Sequence, residues 1–105
     1  SATAFNTSSD YRLKENLSPI TGAVDRVNAL NPQRFNFINS PDVTVDGFLA
    51  HEVSPIVPEA ITGEKDAVDE KGEPEYQGID QSKLVPLLTA AIQELTARIE
   101  ALEAA

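Results

Sequence analysis

Val85, Leu88, Ile92, Leu95, Ile99 and Leu102 follow one another at intervals of 3, 4, 3, 4 and 3 residues. A 3.5-residue period of apolar side chains draws a narrow seam along an α-helix, the a and d positions of a heptad, and such a seam needs a facing helix. It can pack on its own domain as a core helix, or against other copies of the chain. The remaining composition favours self-association. The 105 residues include no Trp, Met or Cys, two Tyr and four Phe, which is a light core for a domain small enough to bury only part of its surface. Association supplies the missing buried area. Ile at a with Leu at d favours two strands by the parallel-dimer rule, while short coiled coils also take their order from the domains attached to them. Asp80 is placed to cap this helix, and Pro86 either falls in its first turn or kinks it. The sequence thus predicts a C-terminal association helix within 80–105.

Upstream of the seam the pattern breaks into short pieces. Residues 1–8 are small and polar and read as a linker, and without a starting Met the sequence is expected to be a piece of a longer protein. One domain, 9–105, follows. Ser18-Pro19 resembles an N-cap with proline in the first helical position, and Ile20, Ala23, Val24, Val27 and Leu30 recur at helical spacing. Asn31-Pro32 ends that run, which predicts a helix over 19–30. Arg34–Ile38 alternates as a strand, Asn39–Asp42 is a turn, and Val43–Val53 reads as a second strand region broken near Gly47. Ala60-Ile61 is expected to pair briefly. The charged stretch 63–75 is expected to be a solvated loop or hairpin turning at Lys71-Gly72. The fold class is therefore α+β: a short N-terminal helix, small strands and hairpins, and a long C-terminal helix.

Charge removes several functions. Asp and Glu outnumber Lys and Arg by 17 to 8, for a net charge of −9. Nucleic-acid backbones and anionic membrane surfaces both demand clustered cations, so neither is an expected partner. No apolar run reaches the length of a membrane span. Without cysteine there is no thiolate zinc site, and no phosphate-binding or calcium-binding loop pattern is present. No metal or cofactor is expected.

Few residues remain for chemistry. His51 is the single histidine, so a Ser-His-Asp triad would need it as base. On an alternating strand it would share a face with Leu49 and Val53, which favours a structural role. Ser9 and Lys14 are the other candidates. A lysine activates a serine when its amine is kept neutral by burial or by a neighbouring cation, and Arg12 is close in sequence. By spacing alone this pair is a weak signal.

The segment Ser8-Ser9-Asp10-Tyr11-Arg12-Leu13-Lys14-Glu15-Asn16-Leu17 resembles the opening motif of the peptidase S74 family, the intramolecular chaperones at the ends of phage tailspikes and tail fibres. The likeness continues through Leu30-Asn31-Pro32, Phe35-Asn36-Phe37, Gly47–Val53, Pro58-Glu59-Ala60, Tyr76–Asp80, Ser82–Leu88 and Ala91–Leu95. His51 departs from the glutamine expected there. The resemblance implies a homotrimer held by the C-terminal helices, which registers an upstream fibre segment of the same polypeptide. It also implies single-turnover self-cleavage by a Ser9–Lys14 dyad, with Asp10, Arg12 and Asn16 as supporting motif positions. The cut would fall at Ser8–Ser9 or Ser9–Asp10. The setting would be the bacterial host cytoplasm during phage assembly, or the virion tail fibre if uncleaved. The competing readings are a trimeric tip that never cleaves and, less compatible with these residues, an unrelated small enzyme.

Overall fold

A computed structural model describes residues 8–105; the linker expected over residues 1–8 lies, except for Ser8, outside the described residues. Among the described residues, three helices and two small antiparallel sheets make up the fold. Helix α1 spans Ala23–Asn28 and α2 Ala50–Val53, and α3 runs from Val85 to Ala104. Strand β1 (Gln33–Phe35) pairs with β2 (Val45–Gly47) in the register Gln33 to Gly47, Arg34 to Asp46 and Phe35 to Val45. Strand β3 (Ile61–Thr62) pairs with β4 (Gly78–Ile79). Short 3-10 turns at Tyr11–Leu13, Pro58–Ala60 and Gln81–Leu84 link these elements. The core is made of small side chains: Ala23 and Val24 from α1, Val53, Val57 and Ala60, then Leu84, Leu87 and Ala91. Among the described residues no aromatic side chain is buried within it.

The first helix starts later than the sequence predicts. Ser18-Pro19 lies in irregular chain, and α1 begins after Gly22, whose φ of 65° suits a residue without a Cβ. Gly22 offers no side-chain acceptor. The acceptor is Glu94, whose Oε2 takes a hydrogen bond from the Val24 N–H at 2.9 Å. A cap supplied from 70 residues away replaces the local one. The apolar pattern itself holds, since Ala23 and Val24 are buried and Val27 and Leu30 pack against them.

Both strand regions are shorter than expected. Pro32 precedes β1 and has no N–H to donate, so the ladder stops at the Gln33–Gly47 pair. At Gly47 an added Cβ would come within 3.0 Å of the Phe35 ring, so the sheet closes over a glycine. Beyond it the chain coils into α2, with Glu52 N–H donating to Leu49 O at 3.0 Å. Val53 faces the core and His51 is exposed, so the shared strand face expected for His51 with Leu49 and Val53 does not exist.

The charged stretch 63–75 forms a surface hairpin between β3 and β4. The Asp69 carboxylate accepts from the N–H groups of Lys71 (2.8 Å) and Glu73 (3.0 Å), and Gly72 at φ 80° completes the turn. A single bridge, Val68 to Pro74, closes it.

Helix α3 begins at Val85, with Pro86 in its first turn, where a missing N–H costs nothing. Asp80 caps the preceding 3-10 turn by accepting from Ser82 N–H and Oγ at 3.1 and 2.6 Å. The helix meets its own domain through Leu84, Leu87 and Ala91. The a/d residues Val85, Leu88, Ile92, Leu95, Ile99 and Leu102 lie off that contact and are 40–76 % exposed in the single chain. The core-helix alternative therefore describes a different row of side chains from the heptad seam.

Candidate active site and association helix

The motif at 9–16 folds as one tight turn. Asp10 has extended backbone and opens it by accepting from the Arg12 N–H at 2.9 Å. Arg12 folds back on the same carboxylate, Nε to Oδ1 at 3.0 Å and Nη2 to Oδ2 at 2.9 Å, the planar fork that suits guanidinium and carboxylate. The Leu13 and Lys14 N–H groups close the turn onto Asp10 O and Tyr11 O. The result is that Lys14 Nζ donates to Ser9 Oγ at 2.7 Å. Five residues of sequence separation become one contact, and Asp10 and Arg12 create it.

The electrostatics derive from this geometry. The Arg12 guanidinium, and then its N–H, hold the Asp10 carboxyl below the usual carboxylate range. The cation expected to act on Lys14 thus has its charge matched by Asp10. Lys14 is exposed rather than partly buried in the single chain. Asn16 has a φ of 56°, a conformation that asparagine tolerates better than most residues, and it redirects the chain after the turn.

Ser9 and Lys14 open onto a groove of about 620 Å³. Ile20, Val57 and Leu87 supply apolar walls, while Arg26, Glu59 and Lys83 supply charge. Arg26 is committed to the backbone, its Nη2 donating to Ile56 O at 2.6 Å. His51 lies on another surface, beside Glu64, Lys65 and Gln77 of the acidic hairpin, and takes no part in this groove. Sequence reasoning missed Glu94 and Lys83. Both lie in stretches that resemble the family, Ser82–Leu88 and Ala91–Leu95, but nothing local assigns them a role, and only the tertiary fold brings Glu94 to α1 or Lys83 to the groove. Among the described residues, no cluster of His, Cys, Asp or Glu is placed to hold a metal ion.

Comparison with known proteins finds the family that the opening motif resembles. Residues 9–62 match the sequence profile of the peptidase S74 family, described as the chaperone of endosialidase. The chain is also 31% identical, over 99 residues and 90% of its length, to the long tail fiber protein Gp37 of Enterobacteria phage K3. The same identity and coverage relate it to Gp37 of Enterobacteria phage T2. It spans 8% and 7% of those two fibres. With its opening motif folded into a Ser9–Lys14 contact and the family profile covering that motif, the β1–β2 sheet and α2, the chain belongs to the peptidase S74 family of endosialidase-type chaperones.

Proposed function

We propose that this domain is an intramolecular chaperone that assembles as a parallel homotrimer through the a/d row of α3, registers an upstream fibre segment of the same polypeptide, and then releases it by cutting the chain next to Ser9. β-Fibres of identical chains slip register easily and depend on slow non-local pairing. A trimerising cap raises the local concentration of the three strands. Removing the cap afterwards leaves the assembled fibre kinetically trapped.

The observation that carries the chemical half of this reading is the 2.7 Å contact of Lys14 Nζ with Ser9 Oγ. In its neutral form Lys14 takes the Ser9 hydroxyl proton. Ser9 Oγ then adds to the Ser8 carbonyl carbon through a five-membered ring, giving a tetrahedral oxyanion. The Ser8–Ser9 C–N bond breaks, and the nitrogen leaves with the proton returned by Lys14. Water hydrolyses the resulting ester to a Ser8 carboxylate and the Ser9 hydroxyl. A cut at Ser9–Asp10 would instead need a serine from another chain or an activated water. Burial of Lys14 against a neighbouring copy favours its neutral form and makes cutting wait for assembly. Processing during assembly would take place in the host cytoplasm, and an uncut domain would stay on the virion tail fibre.

The test is a longer precursor carrying its native upstream region, followed by intact mass over time. Wild type should lose the upstream segment at a bond flanking Ser9. Ser9→Ala, Lys14→Ala and Lys14→Arg should not, since guanidinium keeps its proton, and all should remain trimeric by light scattering. A fully processed Lys14→Ala precursor would overturn the dyad. A wild type that trimerises with unchanged mass would identify a structural tip that stays on the fibre.

A further inference from the structure

We infer that Lys83 is the cation that stabilises the tetrahedral oxyanion when the bond next to Ser9 is cut. This deepens the reading of Ser9 and Lys14 as the reacting pair and rests on it.

Lys83 lines the same groove as Ser9 and Lys14, but from a different element, the last turn of the 3-10 segment Gln81–Leu84 that feeds α3. The charge developing on the substrate oxygen therefore has a cation on the wall that does not carry the nucleophile.

The neighbouring cations are occupied. Arg12 is forked onto Asp10, Arg26 donates to Ile56 O, and Lys14 donates to Ser9 Oγ. Among the described residues the Lys83 ammonium makes no hydrogen bond, and no ion pair within 4 Å. The nearby Asp80 carboxylate accepts from the Ser82 N–H and hydroxyl. It also feels the Lys83 charge, without a direct ion pair between them. Glu59 is the one carboxylate among the residues lining the groove.

The backbone of Lys83 is anchored by the start of α3. Leu84 and Leu87, immediately C-terminal to it, are buried core residues, so the chain carrying Lys83 is fixed relative to the groove. The Lys83 side chain itself is exposed and reaches into the groove from this anchored backbone. A cation beside the site of developing charge stabilises the transition state, and removing one such donor costs a factor of about 10² to 10³ in rate.

Single-turnover cleavage of the longer precursor is measured across pH for Lys83→Ala and Lys83→Arg, with Lys65→Ala, on the acidic hairpin, as control. Lys83→Ala should slow cleavage by about 10² at every pH without moving the midpoint of the pH–rate curve, and it should remain trimeric. Lys83→Arg should recover to within about tenfold of wild type, because a cation is kept. A Lys83→Ala rate within about threefold of wild type, far short of the loss of an oxyanion donor, overturns the assignment. So does a shifted midpoint with an unchanged plateau, which would mean that Lys83 acts through Lys14. A second measurement does not depend on cleavage. In the Ser9→Ala chain, sulfate serves as a tetrahedral anion and is titrated while the lysine side-chain carbons are followed by NMR. The Lys83 resonance should respond with a half-saturation well below that of Lys65, by about tenfold or more, since a preorganised site adds to bare charge attraction. Equal responses overturn the inference even if no variant cleaves, whereas a normal sulfate response in a chain that never cleaves counts against the dyad alone.

Discussion

Helix α3 carries two rows of side chains one residue apart, and they differ in what covers them. The inner row, Leu84, Leu87 and Ala91, is buried against α1 and the chain around Val57 and Ala60. It continues at the same spacing into Glu94 and Arg98, which pair at 3.7 Å. The outer row, Val85 to Leu102, stays apolar along its whole length and is uncovered. Both rows have the 3, 4 spacing, so period alone does not say which faces the core. Where the rows become polar does say it. The inner row turns charged after Ala91, first at Glu94, which caps α1, and then at Arg98, whereas the outer row stays apolar to Leu102. An apolar row that no part of its own domain covers calls for a facing helix from elsewhere.

The largest expected effect comes from breaking the outer row. Ile92→Asp with Leu95→Asp places unpaired charge in every copy of the proposed seam. It should convert trimer to monomer by light scattering while leaving the helical circular dichroism of the domain, since the inner row is untouched. A monomeric wild type at micromolar concentration would remove the outer row as an interface. Leu87→Ala should do the reverse, costing about 2–5 kcal/mol of domain stability through a core cavity, read as a lowered thermal midpoint before any change in assembly. Loss of assembly with an unchanged midpoint would show that the two rows are not separable.

Smaller effects sharpen the boundary between the rows. Glu94→Ala removes the cap of α1 and should cost about 1 kcal/mol, with Glu94→Gln retaining most of it because an acceptor remains. If both variants melt like wild type, the long-range cap contributes nothing measurable. His51→Ala, remote from the groove, should leave cleavage within about tenfold, roughly 1.4 kcal/mol of barrier. A variant as inactive as Ser9→Ala would move the base to His51. The smallest effect is one of pH. Asp10 has its carboxyl lowered in the folded chain by Arg12, so its contribution to the turn is present above the ordinary carboxylate pKa and fades as pH falls through the lowered value. Contacts between the Ser9 and Lys14 side chains, measured by NMR, should weaken only at that acidic end. Weakening at neutral pH would mean that Asp10 is not what shapes the turn.

The sequence makes some of this legible and hides the rest for physical reasons. The seam is readable because a repeated period survives whatever the rest of the chain does. The hairpin turn at Lys71-Gly72 is readable because Asp69 and Gly72 carry local turn chemistry. The start of α1 is not, because Ser18-Pro19 has the chemistry of a cap while the cap in use belongs to Glu94, 70 residues on. The end of the β1–β2 ladder is set by Pro32, whose local signature is that of a helix stop. At the site, resemblance draws attention to Ser9 and Lys14, and the turn built by Asp10 and Arg12 explains how a spacing that means little in a linear chain becomes a contact. Lys83 lies in a stretch that resembles the family, yet nothing local ties it to Ser9 and Lys14, because its place in the groove depends on where α3 docks.

The cap supplied by Glu94 also has a meaning in time. As the chain emerges from the ribosome, α1 appears early but has no acceptor for the Val24 N–H until 70 more residues have been made. Its core partners Leu84, Leu87 and Ala91 arrive equally late. The N-terminal helix therefore lacks its cap and part of its core until α3 has been translated. On the function proposed above, a growing chain would in this way present a finished cap only once the outer row proposed to join it to its neighbours is also available.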